Sequence, residues 1–308
     1  KTRSKGLQFG GSLQILVMTS SDKNSLTLTK ILGAFYVVRV HNIFLLLLAQ
    51  YLTSIFILSS SESWKIIFDK NLFLVILCST ICIISGFIIN DYYDTKKDSI
   101  NTPIKFKLGE YINDKTKLFL YFFLNLLVVL VSSLISVRAI VFFSIYIFFI
   151  WFYSHKLRKL VFLGNLFYSI LTITPFFAIL LYFKKIEFII IAYALFLFFI
   201  LLLKDIVKDM KNIKGDFSAN HKTIPVVFGE SFAKTLVSLL SIINVFLVLN
   251  LFLNFNSGFM YFYYFLALAV MVYFMFKLYH SKSTAQYLFL HNLLRFLITA
   301  GVFSIVLH

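Results

Sequence analysis

Nine apolar runs, each near twenty residues, limit what this chain can become more than anything else in it. About twenty predominantly apolar residues are what a helix needs to cross a bilayer. In lipid every backbone N–H and C=O must be satisfied internally, which leaves helices or closed barrels, and runs of this length suit helices. The expected spans lie near 31–58, 71–92, 117–135, 139–154, 161–182, 187–207, 231–253, 259–279 and 286–306. Composition agrees, with 60% of the 308 residues apolar and 14% charged, against roughly 45–50% and about 25% in soluble domains. The expected architecture is therefore all-α and polytopic: a single transmembrane domain over 26–308 behind a polar tail, 1–25. The chain opens without Met, and Met18 precedes a polar lead-in, so residues 1–17 read as a tag remnant or an over-extended gene model.

The formal charge of +16 is a topology signal here, not a nucleic-acid footprint. Sixteen Lys and Arg fall in the loops after the even-numbered spans, against five on the other side. Basic residues gather in cytoplasmic loops, which places the N-terminus inside and the C-terminus outside. Cys78 and Cys82, four apart inside an apolar span, are expected to be small buried residues with no metal or disulfide role.

Two acidic stretches interrupt this apolar background at corresponding places, after the second and sixth spans. The first is NDYYDTKKD, in which Asp91, Asp94 and Asp98 recur at three and four residues. The second is KDIVKDMKNIKGD, in which Asp205, Asp209 and Asp216 recur at four and seven, with Asn212 between. On an unbroken helix each set shares one face. A face of like charges at a membrane is costly unless a cation is bound there, and oxygen-rich clusters of this kind suit Mg²⁺ arriving with substrate phosphates. The expected partners are thus membrane lipids and a polyprenyl diphosphate, whose head needs Mg²⁺ and lysines and whose tail needs an apolar cavity; no protein partner is evident. The reaction that fits is ionisation of the diphosphate, with attack by a lipophilic acceptor in a site that excludes water.

With these residues in view, the chain from about residue 30 onward resembles the UbiA superfamily of intramembrane prenyltransferases. NDYYDTKKD, continuing through Asn101 and Pro103, is similar to that family's first aspartate-rich motif, NDxxDxxxDxxNxP. The second stretch, followed by KTIPVVFG (Lys222 to Gly229), resembles its second motif and TxP signature. Arg39 and Asn42 match an RxxN pattern, and Tyr153, Ser154, Lys156, Gly164 and Asn165 match the loop after the fourth span.

The resemblance implies nine helices around a central cavity capped on the cytoplasmic side. It implies that Asp91, Asp94 and Asp98 hold one Mg²⁺ and Asp205, Asp209 and Asp216 another, with Asp91, Asp94 and Asp209 catalytic. Arg39, Asn42, Asn90, Lys105, Lys156, Lys208 and Asn212 would contact the diphosphate or support the metals. Asn212 stands where many relatives carry a third aspartate, so the second ion has one charge fewer. The second motif is similar to that of geranylgeranylglyceryl-phosphate geranylgeranyltransferases, so a glyceryl phosphate ether is the expected acceptor, with 4-hydroxybenzoate or a similar quinone precursor as the alternative. His291 and Arg295, four apart in the last span, could anchor an anionic headgroup. A membrane carrier without catalysis would instead place its charges near the bilayer midplane on broken, Gly/Pro-rich helices; the charges here sit mainly at span ends.

Overall fold

A computed structural model describes residues 33, 35, 37–59, 63–255 and 258–308. The tail 1–25, residues 1–17 included, lies outside the described residues. Nine helices among the described residues are long and apolar enough to span a membrane. They are α1 (Val40–Leu58), α2 (Lys70–Tyr93), α3 (Asp114–Ser133), α4 (Val137–His155), α5 (Leu163–Phe183), α6 (Phe188–Lys211), α7 (Ile224–Asn254), α8 (Tyr261–His280) and α9 (Thr284–Ser304). The protein is an integral, multi-pass membrane protein.

Helix starts follow capping chemistry. The Asp69 carboxylate accepts from Leu72 N at the start of α2, and the Asn113 amide oxygen from Thr116 N at the start of α3. Ser283 and Gln286 form a reciprocal capping box on α9. Helix α7 begins seven residues before the expected 231, because Pro225 sits in its first turn, where a missing N–H costs nothing. It breaks at Gly229, whose φ of 83° and ψ of 170° are open chiefly to glycine.

Consecutive helices are neighbours, and α9 returns to pack on α1, so the nine close a ring. Helices α2 and α6 are the most enclosed, with 61% and 44% of their spans buried. They are also the two that carry the acidic stretches, so the ring delivers both to one end of its interior. Two apolar clusters hold it together, one among α1–α5 and one centred on α6–α9. Cys78 and Cys82 are buried and unbridged within the first.

Lipid tails are as apolar as leucine, so helix packing here relies on close contact and on polar links rather than on water exclusion. Most hydroxyls in the spans bond a carbonyl of their own helix, as Ser79 does to Val75 O and Thr80 to Ile76 O. Other links cross between helices, among them Ser85 to Asn125 Oδ1, Gln50 Nε2 to Pro175 O, and Tyr146 OH to Leu171 O at 2.8 Å. The last has a clear cause. Pro175 lies inside α5 and lacks an N–H, which orphans the carbonyl four residues back. That carbonyl is Leu171 O, and Tyr146 of α4 satisfies it.

Tyr146→Phe is expected to lower stability by about 1 kcal/mol. In a Pro175→Ala background it should cost much less, because the backbone N–H that this substitution restores then serves Leu171 O. Thermal unfolding of the four proteins in one detergent measures this, and equal losses in both backgrounds would refute it.

Candidate active site

Neither acidic stretch is the single unbroken helix face that its spacing predicts. Helix α2 ends at Tyr93; Asp94, at φ −93° and ψ 3°, turns the chain into a short helix, Thr95–Asn101. Helix α6 ends at Lys211; Asn212, at φ −104° and ψ 11°, does the same before Ile213–Ser218. Both stretches therefore fold over the same end of the ring, and the two short helices meet there. Asn101 Oδ1 accepts from Gly215 N at 3.2 Å, and Lys97 pairs with Asp216 at 2.5 Å, both side chains almost fully buried. The clasp closes over α2 and α6.

Beneath it lies a cavity of about 730 Å³. Its polar end carries Asn90, Lys97, Asp98, Arg158, Lys208 and Asn212; its apolar wall includes Ile83, Phe87, Ile150 and Leu171. Of the residues expected from sequence, Arg39, Asn42, Asn90, Asp98, Lys208 and Asn212 line this space. Arg39 does so from a left-handed backbone conformation, φ 53° and ψ 55°, with its guanidinium 5.0 Å from the Phe87 ring centre. A second, smaller cavity of about 150 Å³ opens among α1, α5, α6 and α9 near their other ends, walled almost wholly by apolar side chains.

The remaining aspartates stand behind the cavity wall, each against a partner. Asp91 turns toward Lys117 of α3, at 3.1 Å, and so lies off the cavity. Asp94 takes the Arg158 guanidinium, which also reaches Asn90 Oδ1. Asp205 pairs with Lys208, one turn along α6. Asn165 Nδ2 donates to both Asp205 Oδ2, at 2.9 Å, and Asp209 Oδ2, at 2.7 Å. Asp205 and Asp209 share a small polar recess with Lys97, Arg158 and Asn165.

Lys156 does not stand where expected. It caps the end of α4, is exposed, and is not among the residues lining the cavity. Arg158, two residues on, takes that place. The side chain of Lys105 lies outside the described residues. The basic residues that sequence reasoning passed over are Lys97, Lys117 and Arg158. Lys97 was hidden inside the first motif, and Arg158 by a lysine-rich neighbourhood in which the chain turns immediately after α4.

Two groups outside the spans show the field at the clasp. Burial works against the charge of Lys97, but Asp216, with Asp209 and Asp205 behind it, holds its pKa above the ordinary lysine value. His221, buried beside the clasp, is pushed down to about 3, by burial first and then by Lys97, Arg158, Lys159 and Lys208. It is neutral at any working pH.

Among the described residues, no three His, Cys, Asp or Glu side chains are already drawn together as a metal-ligand set. The donor chemistry nevertheless fits a hard cation: the Asp205 and Asp209 carboxylates around a shared recess, with the Asn212 carboxamide on the wall of the main cavity. Beyond its ion pair with Lys97, Asp216 has both carboxylate oxygens buried without a hydrogen-bond partner. Oxygen sets of this kind suit Mg²⁺.

Comparison with known proteins bears on the family and the fold. The UbiA prenyltransferase family model matches residues 47–294. A digeranylgeranylglyceryl phosphate synthase from Thermococcus gammatolerans is 30% identical over 197 residues, 63% of this chain and 68% of the relative. The enzyme of that name from Saccharolobus solfataricus is 30% identical over 226 residues, 71% of this chain and 77% of its own. The structure of a UbiA homologue from Archaeoglobus fulgidus bound to GPP and Mg²⁺ superimposes with a TM-score of 0.65. It shares 16% identity, covers 89% of this chain and 99% of the homologue, and speaks to the fold alone.

The clasp depends on one close approach. A Cβ on Gly215 would overlap the Asn101 carboxamide, so Gly215→Ala should cost about 1–3 kcal/mol despite alanine's better helix propensity. Asn101→Ala in the same chain should recover part of that loss. A double variant no more stable than Gly215→Ala alone, by thermal unfolding, would show that the contact is not the cause.

Proposed function

The chain belongs to the UbiA prenyltransferase family and is a membrane prenyltransferase; from that premise we propose that it alkylates the free hydroxyl of a glyceryl phosphate ether with a long prenyl chain. The observation that carries this reading is the two-ended cavity, cationic and oxygen-rich beneath the clasp and apolar below it. A prenyl diphosphate has the same two ends. The acceptor is drawn from the relatives, which are named as digeranylgeranylglyceryl phosphate synthases.

The diphosphate would lie against Lys97, Arg158 and Lys208, with Asn90 and Asn42 beside it. In the structure three of those cations neutralise Asp216, Asp94 and Asp205. A divalent ion on the carboxylates would free the same side chains to face phosphate oxygens, so the pairs exchange partners rather than lose them. By the family resemblance Asp91, Asp94 and Asp98 would hold one Mg²⁺ and Asp205, Asp209 and Asp216 the other, with the Asn212 oxygen alongside. Of the first set only Asp98 lines the cavity as the side chains stand. Mg²⁺, when bound, neutralises charge developing on the departing diphosphate.

As the C1–O bond breaks, its electron pair leaves with the diphosphate and the allylic C1 becomes cationic. The acceptor oxygen bonds to C1, and its proton passes to the released diphosphate. Ile83, Phe87 and Ile150 keep water from the allylic carbon, and the smaller apolar cavity would receive the far end of the tail. The excess of lysine in the loops at this end orients the cavity mouth toward the cytoplasm.

Purified protein given geranylgeranyl diphosphate and Mg²⁺ should release diphosphate with geranylgeranylglyceryl phosphate as acceptor. Asp209→Ala should lower that turnover by about 10²-fold or more with thermal stability kept; Asp94→Ala should lower it as far and also lower the thermal midpoint, because Arg158 is left buried without its partner. Turnover only with 4-hydroxybenzoate would replace the acceptor, and full activity in either variant would remove the metal assignment.

A further inference from the structure

One group of basic side chains in the cavity, two of them permanent cations, has no part in the scheme above. Arg295 and His291 reach in from α9, His41 from α1 and Lys204 from α6. Arg295 lies near the middle of the 24-residue span Thr284–Leu307, an exception to the expectation that charge collects at span ends. A cation at that depth is costly and ordinarily marks function.

Beneath the clasp Lys97, Arg158 and Lys208 each have a carboxylate. Arg295 and Lys204 have none: among the described residues, no ion pair includes either one. Two permanent positive charges therefore face one membrane-embedded space uncompensated. Their placement is nonetheless built. Arg295 Nη2 donates to His41 Nε2 at 3.0 Å, since a guanidinium can only donate. That bond ties α9 to α1 and fixes the direction of the guanidinium. His291 Nδ1 donates to Lys204 O at 3.2 Å, joining α9 to α6. Lys204 and Lys208 both lie over the Tyr168 ring, 5.5 and 5.0 Å from its centre. They are one helical turn apart, about 5.4 Å along the axis, and Lys204 is the one further from the clasp. Only Lys208 is matched to an aspartate.

We propose that Arg295 and Lys204 form a second anion site that binds the phosphate of the acceptor, with His41 as a positioning residue for Arg295. This rests on the prenyltransferase reading given above and adds to it the place of the acceptor's head. A carboxylate-free pair of cations suits a phosphate monoester that must be held without metal, and the planar guanidinium matches its oxygens. In a glyceryl phosphate the reacting hydroxyl is two carbons from the phosphate ester oxygen. Binding the phosphate one turn below the diphosphate cations brings that hydroxyl toward C1 and leaves both apolar tails pointing away from the clasp.

The test is equilibrium binding of radiolabelled geranylgeranylglyceryl phosphate to the full chain in nanodiscs, without Mg²⁺ or donor, followed by steady-state kinetics with both substrates. Arg295→Gln and Lys204→Met should each weaken acceptor binding and raise its KM by about tenfold or more, leaving the KM for geranylgeranyl diphosphate within about twofold. Arg295→Lys should recover part of the loss. His41→Ala should raise the acceptor KM less, and His41→Gln, whose amide oxygen can still accept from Arg295, should restore it. Unphosphorylated geranylgeranylglycerol should bind wild type and Arg295→Gln equally weakly. Equal effects on the phosphorylated and unphosphorylated acceptors, or a shift in donor KM instead, would overturn the second site while leaving the prenyltransferase reading intact. Wild-type protein that turns over no phosphorylated acceptor would overturn the acceptor reading, and this site with it. Thermal midpoints are recorded for every variant, and Lys204→Met carries the test if Arg295→Gln does not fold.

Discussion

Pairing buried carboxylates with cations at the ends of α2 and α6 is the constraint on which the rest of this structure depends. Aspartates that are nearly solvent-free at a membrane boundary would be protonated or expelled unless opposing charges, or for Asp209 the Asn165 amide, met them. The fold supplies those charges from different helices: Lys117 from α3, Arg158 from the end of α4, Lys97 from the short helix after α2, and Lys208 from α6 itself. Because the partners come from separate elements, the pairs also fix where those elements sit. A ring of apolar helices has little reason to choose one arrangement over another in lipid. Ion pairs that work in one geometry only give it that reason.

The same constraint explains why the two stretches break. An unbroken helix would carry Asp98 and Asp216 straight out of the membrane, away from the ring. The turns at Asp94 and Asn212 fold each short helix back over the mouth, so Lys97 can reach Asp216 across the gap. The spacing of the aspartates fits a helix face well enough that the break cannot be read from it. It is set by a tertiary contact, the approach of Gly215 to Asn101, which no local periodicity reports.

What could be read from sequence follows the range of the forces involved. Hydropathy is a property of single segments, and all nine spans were legible, with their ends displaced by a few residues except where Pro225 starts α7 early and where α1, expected from 31, begins at Val40 behind the left-handed Arg39. The aspartates were legible as a group because repeated carboxylates on apolar helices have few other uses. Which cation meets which carboxylate was not. Lys156 and Arg158 differ by two positions in a basic loop, and only the turn after α4 decides that one is exposed and the other lies against Asp94. Arg295 was visible as an oddity in the last span, but its lack of a carboxylate is a property of three helices at once.

Charge balance then separates the two ends of the cavity. Beneath the clasp, fixed negative and positive groups nearly cancel, so a tightly held anion there needs extra positive charge, and the carboxylates are what would recruit it as a divalent ion. One turn further in, at Arg295 and Lys204, positive charge is already in excess, and an anion can bind with no metal. Two anionic substrates sharing about 730 Å³ would repel each other strongly in a low dielectric if both relied on the same cations. On the proposed reading, splitting the cavity into a metal-requiring site and a metal-free one would let the two bind side by side, and the order in which they arrive would not be fixed by competition for a single set of charges.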